Sequence, residues 1–179
     1  MEKRALIVVD LQNKYRADGK LPLKNLDQTI ANAKCVLTAA RDRQDLIVHF
    51  RHETPGFADA PFAAGTNGTE IIAAVAPVDG EAILSKRYPQ VLPRHRTEEH
   101  LGRGEHHGCR DLWRGEPHVH RCNRACLIRF RTVVGDACAT HARVSDGVDV
   151  PAPQVHARFM AALAFAYPKV VPTSVLFAD

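Results

Sequence analysis

Residues 5–9, ALIVV, form an uninterrupted apolar run that stops at Asp10. A run this short, rich in β-branched residues and closed by a charge, predicts a strand buried on both faces. Such a strand needs a sheet that is itself covered on both faces, and this requirement constrains everything downstream. "DLIVHFRHE" (45–53), "AILSKRY" (82–88) and "RTVVGDACAT" (131–140) predict further strands, and "KVVPTSVLF" (169–177) a last one. Between them, Leu26 to Arg43 carries helical spacing at Ile30, Ala33, Val36, Leu37 and Ala40. "GTEIIAAVAP" (68–77) predicts a short helical segment closed by Pro77. "PQVHARFMAALAFAY" (153–167) predicts a helix with apolar positions at Val155, Phe159, Ala162, Leu163 and Ala166. Strands alternating with helices imply right-handed crossovers, hence an α/β, doubly wound, mainly parallel sheet with helices on both faces. The 179 residues show no internal repeat or linker, and residues 1–179 read as a single domain.

Charge is spread unevenly. From Lys86 to Thr132 there are eleven Lys/Arg against five Asp/Glu, although the whole chain carries only +4. Ten of those eleven cations are arginine, and six of the ten histidines fall in the same stretch. No nucleic-acid-binding motif accompanies this basic stretch, so no nucleic-acid partner is expected. No apolar run reaches the length of a membrane span, and the apolar stretch near the N-terminus is too short for a signal-peptide core. Five cysteines without regular spacing do not make a disulfide framework, and the simple expectation is reduced thiols in a cytoplasmic setting.

In a doubly wound sheet, ligands bind beyond the carboxyl ends of the strands. Asp10, Lys86 and Asp136 stand at three such ends. Each also suits a turn or a helix cap. A carboxylate and a lysine there are two thirds of a nucleophilic site, which still needs its nucleophile.

Taken in order, "ALIVVDLQNKY", "IVHFRHE", "GTNGTEI", "ILSKRYP", "VVGDACATH" and "PQVHARFMAALAFAYPKVV" resemble the isochorismatase-like cysteine hydrolases, which include nicotinamidases and N-carbamoylsarcosine amidohydrolase. The resemblance covers residues 1 to 90 and 125 to 177. It implies a Rossmann-like three-layer fold and an Asp–Lys–Cys triad, whose first two members map onto Asp10 and Lys86. The nucleophile belongs in a segment of the form V-I-C-G-x-x-[ST]-x-x-C, and no such segment is printed. Counting forward from Lys86 and back from "RAC" (124–126) both lead to Val119.

A shifted reading frame accounts for this. Permitted codons for Arg110 to Asn123, read one base later, spell VICGAVSHMCIDA, with the cysteine codon straddling Val119 and His120. Permitted codons for Val91 to Thr97 likewise read SFRGTEL, the family's expected motif. Residues about 91–97 and 103–124 therefore read as two out-of-frame windows, each closed by a compensating indel. The competing reading of "CRDLWRGEPHVHRC" (109–122) is a metal site. Cys109, His118, His120, Cys122 and Cys126 offer suitable zinc donors, but not at a recognised spacing. His49 and His52 lie three apart on a strand and point to opposite faces, and the Asp-x-His metal motif of nicotinamidases is absent there. We therefore expect no metal and no cofactor.

By resemblance, the function is hydrolysis of a small amide or related C–N bond through an acyl-enzyme. Lys86 stabilises the thiolate, Asp10 moves the proton, and backbone N–H groups before the nucleophile hold the oxyanion. Cys122, one helical turn beyond the slot, is a weak substitute nucleophile. Gln12, Phe57 and Phe62 are candidate substrate-binding residues, the two phenylalanines being equally suited to core packing. Two alternatives stand beside this: an isochorismatase proper, cleaving a vinyl ether, or a catalytically dead member serving as a binding or assembly subunit. The expected partners are a small-molecule substrate and further copies of the chain, as a homo-oligomer.

Overall fold

The computed structural model describes residues 5–56, 60, 62–87, 126–129, 132–166 and 169–176. Among these residues the main sheet has six strands: β1 (Ala5–Val9), β2 (Leu46–His52), β3 (Ala82–Lys86), β4 (Cys126–Arg129), β5 (Thr132–Val134) and β8 (Lys169–Val171). Their spatial order is β3-β2-β1-β4-β5-β8. β1 pairs with β2, β2 with β3 and β5 with β8 in parallel, whereas β4 runs antiparallel to both β1 and β5. The sheet is thus mainly parallel, with one reversed strand in its middle.

All five residues of β1 are buried, and alternate side chains join different cores. Leu6 and Val8 pack with Ile30, Ala33, Val36 and Leu37 of helix α1 (Leu26–Asp42). Ile7 and Val9 pack with Val48, Phe50, Val133 and Leu163, the last on helix α2 (Ala152–Ala166). The side-chain period of two therefore sends one strand into two cores, one on each face. All five apolar positions named for α1 are buried. On α2, Val155 and Leu163 are buried and Phe159 is half-buried, but Ala162 is exposed. At the C-terminus of α1, Gln44 adopts φ +57, Gln44 N–H donates to Arg41 O and Asp45 N–H donates to Ala40 O. This is a Schellman-type stop made without glycine.

Three local expectations need correction. "GTEIIAAVAP" forms two 3-10 turns, Asn67–Thr69 and Ala73–Val75, in place of a short helix. Gly68 and the β-branched Thr69 and Ile71 disfavour an α-helix, and Ile72 N–H donates to Leu11 O at 2.9 Å, which holds the chain extended against β1's exit. The last strand ends at Val171, because Pro172 has no N–H to donate, and Thr173–Leu176 turns into a short helix α3. Cys138, just past β5, is disulfide-bonded, so the expectation of reduced thiols fails at that position. A hairpin of β6 (Arg143–Ser145) and β7 (Val148–Val150) completes the described structure. No helix among the described residues is long and apolar enough to cross a membrane.

Candidate active site

β1 and β3 flank β2 and run parallel to it, so their last residues emerge at the same edge of the sheet. This brings Asp10 and Lys86 together. Lys86 Nζ stands 2.6 Å from Asp10 Oδ2, with the two side chains 4% and 6% exposed respectively. A charge-assisted bond of that length, taken out of water, is strong but leaves neither charge cheap to remove. Asp10 adopts φ +56 and donates its N–H to Phe50 O at 2.9 Å. Asp and Asn tolerate this left-handed conformation better than most residues, and it turns the chain sharply out of the sheet. The backbone thus leaves β1 and swings the carboxylate towards β3 within one residue.

Gln12 fixes the neighbouring walls. Its Nε2 donates to His52 O at 3.0 Å and to Thr69 O at 2.7 Å, and its Oε1 accepts from His52 N–H at 2.9 Å. It is fully buried, and its amide clamps the exit of β2 to the turn at residues 67–69. Phe62 is half-buried and stacks on the His52 ring at 4.0 Å with 15° between planes. The Lys14 ammonium lies over the Phe62 ring, 3.6 Å from its centroid, and Tyr15 meets Phe62 at 67°. Two groups stacked that closely must use opposite ring faces, so Phe62 is held in a Lys14–Phe62–His52 sandwich. His52 pairs in register with Lys86, which sets the sandwich beside the ion pair. Phe57, Val119 and Cys122 lie outside the described residues, as do Cys109, His118 and His120 and the side chain of Cys126. Among the described residues, no cluster of three or more His, Cys, Asp or Glu is placed to hold a metal ion.

Asp136 does not join the pair. Its Oδ1 accepts from Thr173 N–H and Thr173 Oγ1, both at 2.8 Å, and so caps the start of α3. The two histidines of β2 occupy separate surroundings, as the strand's period requires. His49 Nε2 meets Glu81 Oε2 at 2.9 Å. Glu81 also receives Arg41 Nε at 2.7 Å and Nη2 at 2.9 Å, and Val78 N–H at 3.1 Å. Burial pushes His49 below the ordinary imidazole range, against the opposing hydrogen bond and charge of Glu81. Burial alone would raise Glu81, but hydrogen bonds from Arg41, Val78 and His49 bring it below the usual carboxylate range. The hydrogen bond to Glu81 raises Arg41. This cluster, Lys14 and the sandwich are not legible in the sequence, since each joins residues from separate segments.

A family model described as the isochorismatase domain matches residues 4–102. The chain belongs to the isochorismatase family. It is 32% identical over 176 residues to YddQ of Bacillus subtilis, an uncharacterized isochorismatase family protein, covering 94% of this chain and 96% of that one. The crystal structure of an isochorismatase from Pseudomonas putida superimposes with a TM-score of 0.73 at 26% identity, covering 97% of this chain and 89% of that one. N-carbamoylsarcosine amidase from Thermoplasma acidophilum has the same fold, with a TM-score of 0.63 at 19% identity and 97% coverage of both chains. The family accounts for a hydrolase and for the three-layer sheet. The reversed β4 stands apart from the crossover rule that such sheets follow.

Proposed function

We propose that the gene product is a cysteine-dependent hydrolase of a small amide or related C–N bond, with the nucleophile encoded at position 119. The observation that carries this reading is the buried Asp10–Lys86 pair at 2.6 Å, held at the carboxyl edge of the sheet by β1 and β3. Asp10 would accept the thiol proton while the Lys86 ammonium stabilises the thiolate. The sulfur attacks the carbonyl carbon, and the tetrahedral oxyanion collapses as Asp10 returns the proton to the departing nitrogen. Water then adds to the thioester, giving its proton to Asp10, and the acid leaves as the thiol is restored. Val119 as printed has no thiol, so this chemistry depends on the shifted frame.

The match to a family described as isochorismatase favours a second reading, hydrolysis of a vinyl ether. One experiment separates the readings. Full-length protein is made from the gene with both windows reframed, so that a cysteine replaces Val119. It is offered small amides, N-carbamoyl compounds and vinyl ethers, with ammonia and pyruvate followed separately. We expect ammonia release that vanishes when alanine replaces the cysteine at that position. Pyruvate release that survives the alanine substitution would support the vinyl-ether reading. No turnover of any substrate would support a binding or assembly role.

A further inference from the structure

Helix α2 is apolar well beyond the face it buries. From Phe159 to Ala166 it holds no polar residue, over more than two full turns. A helix apolar all round belongs in an interior. The sheet covers one side of α2, where Val155 and Leu163 are buried and Phe159 and Met160 half-buried. Ala157, Ala161, Ala164 and Phe165 are exposed, Phe165 at 96%. Their spacing of i, i+4, i+7 and i+8 puts them on one face, and Arg158 stands beside it, one turn before Ala161. An apolar strip that ends in a fully presented phenylalanine marks a contact surface.

The chain itself carries a match for this face. Among the described residues, hairpin β6–β7 pairs with no other strand, and two strands alone are marginally stable in water. Cross-strand partners share a face, so Val144 and Asp149 point one way and Ser145 and Val148 the other. All four are exposed, Val144 at 69% and Val148 at 63%, so neither face of the hairpin is covered. Arg143 alternates onto the Val148 face, which leaves an apolar residue and an acid on the Val144 face. The α2 face offers the complement, apolar residues and a base, and residues 150–178 contain no acid at all. The spacings agree as well. A cross-strand pair such as Val144 and Asp149 sets its Cβ atoms about 4.5–5.5 Å apart, and Ala161 and Arg158, three apart on a helix, about 5–6 Å. Among the described residues, neither Asp149 nor Arg158 has an ion-pair partner in its own chain.

We propose that a second copy of this chain docks on α2, the hairpin of each copy lying on the helix of the other. Val144 then packs on Ala161 and Phe165, and Asp149 meets Arg158. Such a contact is isologous: the two-fold axis repeats it, so each copy covers its partner's helix and supports its partner's hairpin. None of these residues belongs to the Asp10–Lys86 edge, so the proposal stands apart from the hydrolytic reading. The test is sedimentation velocity of the full-length chain over a range of concentrations. We expect a dimer whose dissociation constant rises about tenfold or more in Phe165→Gln. Asp149→Arg and Arg158→Asp should each weaken it, and the two together should regain most of the loss, because the reversed charges attract again. All three side chains are exposed, so every variant should keep the circular dichroism of the parent. A parent that stays monomeric, or a dimer untouched by Phe165→Gln, would overturn the proposal. Charge reversals that fail to compensate would overturn it too, by removing the hairpin as the occupant. A monomer that instead sediments with phosphatidylglycerol vesicles would give the face to a membrane.

Discussion

Strand-end residues that merely face a cleft should be replaceable without harm to the fold. The burial of Asp10 and Lys86 argues otherwise. Lys86→Met keeps most of the aliphatic stem but removes the cation 2.6 Å from the Asp10 carboxylate, whose side chain is 6% exposed. Asp10→Asn removes the anion of the pair instead, and Asn is the appropriate replacement because it tolerates the φ of +56. Removing one partner of a buried ion pair costs about 3–5 kcal/mol, a fifth or more of the roughly 5–15 kcal/mol that holds a domain together. With a urea slope of about 1–3 kcal/mol per molar, either single variant should unfold at least roughly 1 M earlier than the parent. The double variant Asp10→Asn/Lys86→Met removes both charges of the pair and should recover much of that loss, while remaining inactive. Urea melts of all four proteins close the cycle. Single losses below about 1 kcal/mol that simply add in the double variant would show that the pair is not coupled, and the electrostatic reading of the site would fall.

Three further outcomes follow from the structure. His49 is held below the ordinary imidazole range by burial, so as pH falls through about 6.5 the unfolded chain takes up this proton more readily than the fold; stability should therefore fall as pH drops from 7 towards 5, and His49→Gln should flatten that fall in urea melts. Glu81, held below the usual carboxylate range, adds its own loss only at more acidic pH, so the two contributions separate. Gln12→Leu orphans His52 N–H, His52 O and Thr69 O in a buried place, at about 1–3 kcal/mol each, and should destabilise the protein by clearly more than the roughly 1 kcal/mol of an average substitution. Gly19→Ala should cost about 1–3 kcal/mol or more in the same melts, because its methyl group meets backbone that cannot give way.

The elements legible in the sequence are those whose burial is periodic. β1, β2, β3 and α1 can be read because each packs a regular run of apolar side chains against a neighbour. The hairpin β6–β7 is absent from the sequence reading although it carries a usable signal: Asp146-Gly147 takes φ +51 and +78, the pair of positive values that a type I′ turn demands. The 3-10 turns at 67–69 and 73–75 carry no periodicity to read. Their shape comes from Gln12 and Leu11, which reach them across more than fifty residues. The same contrast runs through the site. Asp10 and Lys86 are legible from strand ends and family resemblance. Gln12 suits a ligand contact by its place in the sequence, yet its amide is committed to three backbone groups. Phe62 suits one equally, yet neighbours cover both faces of its ring.

The reversed strand bears most directly on the out-of-frame window. The position between β1 and β5 is the middle of the sheet, where a strand is covered on both faces and must be apolar throughout. Chain built from right-handed crossovers should deliver a parallel strand there. Between Lys86 and Thr132, however, the printed sequence offers no uninterrupted apolar run longer than Ala125–Ile128, and residues 110–114 read RDLWR. Burying three unpaired charges in that place would cost several kcal/mol each. The position is filled instead by Cys126–Arg129, pairing antiparallel with both neighbours. A short connection from β4 to β5 permits only that direction. In the shifted frame, the same stretch of gene supplies VICG, an apolar strand followed at once by the turn on which a nucleophile would sit. On this reading the antiparallel β4 and the missing thiol at Val119 are one defect: the strand that should carry the nucleophile to the Asp10–Lys86 edge is not encoded in the frame as printed.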